Sequence, residues 1–142
     1  MPKVTRWFIK AGILYFIAGV ALALLSEVPG FTAAPLLLPV YWHMLVMGWI
    51  TQVIMGVSIW MFPRKKRDRK KQESLLTWLA FWLLNVGLIL RFSAEPFIPI
   101  LQHSSTITAV ILISSILQVL AVLAYIAEIW PRLMPGKKRK HS

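Results

Sequence analysis

The chain has 142 residues, 58% of them hydrophobic and only 15% charged, too few charged groups to cover a soluble domain of this size. Its net charge of +11 would suit a nucleic-acid binder, but the basic residues stand in three short patches separated by long apolar runs. That is the layout of a polytopic membrane protein, and it excludes nucleic acid as the expected partner.

Four runs reach the roughly 20 apolar residues that a helix needs to cross about 30 Å of hydrocarbon. The first is expected over about 7–25, behind the basic segment MPKVTRWFIK, with Lys10 able to snorkel from its start. No cleavage site follows it, so it reads as a retained span. The link SEVPGFTAAPLLLP carries Pro29, Pro35 and Pro39, which predict an irregular or re-entrant connection. The second span, about 40–62, holds no charge and runs into the basic block RKKRDRKK. The third is expected over about 75–92, followed by SAEPFIPILQHS with Pro96 and Pro99. The fourth covers about 105–129, with Glu128 at its end and a basic tail over 130–142.

Lipid offers no partner to an open backbone, so each span is expected to be helical. The fold class is therefore all-α: a single domain over 1–142, a polytopic membrane protein forming an antiparallel four-transmembrane-helix bundle. Lys and Arg number three in the N-terminal segment MPKVTRWFIK, seven in the middle link and five from Arg132 on, against Arg91 alone on the other side. This asymmetry predicts both termini in the cytoplasm of a bacterial or archaeal cell, with the chain in the cytoplasmic membrane. The basic block then fixes orientation and attracts anionic headgroups of the lipid bilayer, the first expected partner.

On that topology His43 and His103 reach the same outer level of the membrane. Neutral imidazole is an axial ligand for haem iron, and a helix holds it rigidly along an apolar slot. Spacing alone leaves two readings open, a ligand or a polar residue near an interface. His141, in the tail, reads as solvent-exposed. With no cysteine, c-type haem attachment and thiolate-ligated clusters are excluded. On an ideal helix His43 points roughly 140 to 180° away from Gly48, Gln52 and Gly56. It then shares an apolar face with Met47, Ile50 and Ile54, while the glycines permit close packing and Gln52 bonds across them. Gly12 and Gly19 make a similar stripe on the first span. Asn85 falls near mid-membrane and requires a partner. Arg91 can pair with Glu95 one turn on, or with a lipid phosphate or haem propionate.

The segment HMLVMGWITQVIMGVSIWMFPR, His43 to Arg64, resembles a signature of the catalytic subunit of haem–copper oxidases, closest to the cbb3-type oxidases and nitric oxide reductases. The matched positions are His43, Gly48–Trp49, Gly56 and Phe62–Pro63–Arg64. The resemblance implies that His43 is an axial ligand of a low-spin haem b. It covers one helix with specificity, and four spans amount to about the N-terminal third of such a subunit. The helices that carry the other haem and copper ligands have no counterpart, so no complete oxidase activity is expected. What the resemblance implies is a small b-type cytochrome-like protein for electron transfer or diatomic gas binding. Its expected haem-site residues are His43, His103, Met47 and Arg91. The second axial ligand is then His103 or the His43 of a second copy in a homodimer. A respiratory-chain protein and a quinone are further expected partners. Two alternatives stand beside it: a non-catalytic respiratory-complex subunit or assembly factor without haem, and a small transporter using Gln52, Asn85 and Gln118.

Overall fold

The computed structural model describes residues 1–62, 74–101 and 104–134. The middle basic block, His103 and the tail with His141 lie outside these described residues. Within them the chain is all-α, with four helices long and apolar enough to cross a membrane. They are α1 (Lys3–Ser26), α2 (Ala34–Met61), α3 (Leu75–Phe97) and α4 (Ser105–Leu133). Every one of them reaches beyond the span expected for it. In α2 the proline link gives way to helix at Ala34, because Pro35 stands in the first turn, where a missing N–H leaves no bond unmade. Pro39 is carried inside the helix. Ser74 starts α3, its hydroxyl accepting the Leu76 N–H at 3.2 Å. The other end of α3 closes in a 3₁₀ turn, Glu95–Phe97, so Glu95 belongs to the helix rather than to a loop. Helix α4 runs through Trp130 into what had been assigned to the tail.

The helices alternate in direction and form two hairpins, α1 with α2 and α3 with α4. Glycine sets the approach within the first. A Cβ built on Gly48 would stand 2.7 Å from Tyr15 Cγ, and one on Gly56 would stand 2.8 Å from Phe8 Cβ. Gly87 plays the same part in the second hairpin, where a Cβ would meet the Ser114 carbonyl at 3.1 Å. Lipid tails are as apolar as the side chains they contact, so close packing rather than water exclusion holds such helices together. Gly56→Ala is therefore expected to destabilise the bundle by about 1–3 kcal/mol, since the Phe8 Cβ cannot swing aside. Gly19→Ala meets only the side chains of Leu45 and Met44, at 3.0–3.2 Å, and is expected to be milder. Apparent Tm of the two variants in one detergent checks the order; equal values would contradict it.

The core gathers at the Lys3/Met61 end. Phe81 of α3 is its centre, with the rings of Phe8, Trp82 and Trp78 around it at 5.2, 5.3 and 6.2 Å, all edge-on. Large apolar side chains such as Leu14, Leu24 and Leu75 are exposed instead, as a lipid-facing surface requires.

Polar contacts seam the two hairpins together. Near the aromatic end the Ser58 hydroxyl donates to the Met55 carbonyl, so the Tyr125 hydroxyl 2.7 Å away is the donor between them. Arg132 of α4 donates to the carbonyls of Ile59 and Phe62, closing the C-terminal end of α2, and is held by Glu128.

Candidate functional site

The middle of α2 is not an α-helix. Met44–Thr51 follows a π-helical path, each turn taking in an extra residue, and Thr51 Oγ1 reaches back five residues to the Val46 carbonyl at 2.9 Å. The consequence is rotational. Nine steps of roughly 100° would put His43 and Gln52 on opposite faces. The wider turns bring both round to α3, where His43 meets Glu95 and Gln52 meets Asn85. The expected common face of His43, Met47, Ile50 and Ile54 is accordingly split. Met47 packs against the core, while Ile50 and Ile54 are exposed.

At the Pro39 end of the seam four charged or polar side chains meet. His43 Nδ1 lies 2.8 Å from the Pro39 carbonyl and 3.2 Å from Glu95 Oε2. Glu95, 4% exposed, also accepts from Arg91 Nε at 3.2 Å, and Arg91 donates through a second nitrogen to the Ser115 hydroxyl at 3.2 Å. The Arg91–Glu95 pairing across one turn is thus present. A carbonyl cannot donate, so Nδ1 carries the proton, aimed at Pro39. This leaves Glu95 Oε2 buried without an aligned donor, although the imidazole edge stands beside it. In the neutral ring Nε2 then keeps its lone pair, and it has no hydrogen-bond partner among the described residues. Trp42, Val46 and Ile50 are exposed on the same stretch of α2. The His43 side chain itself is 29% exposed, so part of the ring reaches the surface of the bundle.

Two turns deeper, Gln52 and Asn85 bond each other reciprocally, at 3.2 and 3.3 Å, and Asn85 also donates to the Phe81 carbonyl at 2.8 Å. Both are buried. Gln118 donates to the Ser114 hydroxyl. The three amides are engaged with protein groups. Asn85→Leu would strand Gln52 and is expected to destabilise by about 1–2 kcal/mol, whereas Gln52→Leu with Asn85→Leu removes both partners and recovers most of that. A double-mutant cycle of unfolding in detergent checks this; additive losses would contradict a direct pair.

Neither protein-family models, nor curated proteins, nor solved structures give a match to this chain.

Among the described residues no three His, Cys, Asp or Glu gather into a metal-holding cluster. A haem requires one or two axial donors instead, and the donor set fits one. His43 has its Nδ1 fixed by a carbonyl beside a carboxylate, the arrangement that sets ring orientation and makes the other nitrogen a stronger ligand. Of the other expected site residues, Met47 and Arg91 line one groove between α2 and α4, and His43 does not share it. Arg91 is occupied by Glu95 and Ser115. His103 lies outside the described residues. The partners Glu95 and Ser115 were missed as site residues. Glu95 had a signal in its i+4 spacing from Arg91; Ser115 had none.

Proposed function

We propose that the chain is a small membrane b-type cytochrome-like protein that binds haem b through His43 near the outer face of the cytoplasmic membrane. The observation that carries this reading is the placement of the imidazole: Nδ1 lies between the Pro39 carbonyl and Glu95, and Nε2 has no hydrogen-bond partner among the described residues. When bound, haem supplies a one-electron ferric–ferrous couple. His43 would provide the ligating nitrogen, the Pro39 carbonyl fixes its Nδ1–H, Glu95 stands beside the ring, and Arg91 holds Glu95 in place. Because the stretch of α2 around His43 carries the exposed side chains Trp42, Val46 and Ile50, a second copy of the chain would cover it there and supply its own His43. Held by two imidazoles, the haem would serve electron transfer with a respiratory-chain protein rather than gas binding.

A second reading keeps the same contacts without haem. His43, Glu95 and Arg91 then act as a polar clamp between the hairpins of a non-catalytic respiratory-complex subunit.

Pyridine haemochrome analysis of protein purified from haem-sufficient cells separates the two. Non-covalent, extractable haem b is expected; its absence would favour the clamp.

A further inference from the structure

We propose that the groove beside Arg91, between α2 and α4, is a binding site for a neutral, carbonyl-bearing amphiphile of the quinone class. The groove measures about 360 Å³ and is lined by Met47, Arg91, Ser115, Gln118, Val119 and Leu123. That lies within the usual size of small-molecule sites, about 300–1,000 Å³. Val119 and Leu123 are more than half exposed, so the groove opens sideways to lipid and admits an apolar tail.

Its inner wall offers both a donor and an acceptor. A guanidinium has about five N–H groups, and Glu95 and Ser115 engage two of those on Arg91. The Ser115 hydroxyl donates to the Ile111 carbonyl, so it can only accept from Arg91. Ser114 likewise donates to the Gly87 carbonyl, which forces Gln118 to present its NH₂ to Ser114. Gln118 Oε1 then has no hydrogen-bond partner among the described residues, on a residue only 8% exposed. A ring carbonyl can accept from Arg91, and a ring hydroxyl can donate to Gln118.

Charge and depth select a neutral head over a phosphate. Glu95 already offsets the Arg91 charge at 3.2 Å, so an anion would gain little and would add a buried negative charge. Arg91 lies six residues from the end of α3, and Ser115 ten residues inside α4. These offsets put the wall about 9–15 Å below the helix ends, under the level of lipid phosphates. A neutral ring with carbonyl groups enters hydrocarbon; a phosphate stays at the interface.

This site stands whether or not haem is bound. Equilibrium binding of a radiolabelled decyl-benzoquinone to the full chain in phosphatidylcholine nanodiscs tests it, with haem content measured on the same preparation. Saturable binding is expected for the quinone, and binding about tenfold tighter for its quinol form, whose ring hydroxyl can donate to Gln118; Gln118→Leu is expected to remove that difference, the equivalent of one hydrogen bond of about 1.4 kcal/mol. Val119→Trp fills the groove without touching a polar contact and is expected to abolish binding. No saturable binding, or binding that Val119→Trp leaves unchanged, would overturn the proposal. So would displacement of the probe by phosphatidylglycerol, which would mark an anionic-headgroup site instead.

Discussion

Replacing His43 by alanine is expected to remove the Soret absorbance that the proposed haem would give, and to leave the four helices in place. Both halves follow from the imidazole's contacts. If Nε2 is the iron ligand, alanine removes the donor outright. The fold survives because His43 adds little to the seam. Its proton is directed at the carbonyl of Pro39, on its own helix, while Glu95 keeps its bond to Arg91. The expected loss of stability is about 1 kcal/mol, that of one ordinary hydrogen bond. An unchanged Soret band in the alanine variant would sink the ligand assignment. Unfolding of the variant would show that His43 serves the bundle instead.

Glu95→Ala is expected to have the largest effect on stability of any single change in the seam. Glu95 is 4% exposed and faces Arg91, whose side chain is 20% exposed. Removing one partner of a buried ion pair leaves the other charge uncompensated and destabilises by about 3–5 kcal/mol. Replacing both, Arg91→Leu with Glu95→Leu, removes the stranded charge and is expected to restore most of the loss. Reversible unfolding in mixed micelles measures the cycle. A Glu95→Ala variant within about 1 kcal/mol of the parent would show that the pair holds nothing together. The same substitutions bear on the haem. With the imidazole no longer steadied from behind, haem affinity is expected to fall about 10–100-fold in the double variant, without vanishing.

The fold was legible in the sequence because lipid imposes simple constraints. Four long apolar runs, glycines at Gly48 and Gly56 and a mid-membrane Asn85 each found their expected use. Helix ends were misjudged where proline was taken only as a breaker. Pro35 begins α2, and Pro96 sits in the closing 3₁₀ turn of α3. The candidate site was harder to see. A regular helical step separates His43 from Gln52 by half a turn, whereas the π-helical path turns both toward α3. Nothing in the residue pattern of MLVMGWIT announces that path. The contact between His43 and Glu95 therefore emerges only from the fold, although Arg91 and Glu95 were already visible as neighbours. Ser115, an ordinary serine on a long apolar helix, became part of the site solely because α4 packs beside Arg91.

The central claim is that His43 binds haem b between two copies of this chain. A reduced-minus-oxidised optical spectrum, with haem and chain quantified on the same purified sample, tests it most directly. A b-type spectrum at one haem per two chains is predicted. No redox-active Soret band after expression with ample haem would contradict the claim, and one haem per chain would contradict the shared site.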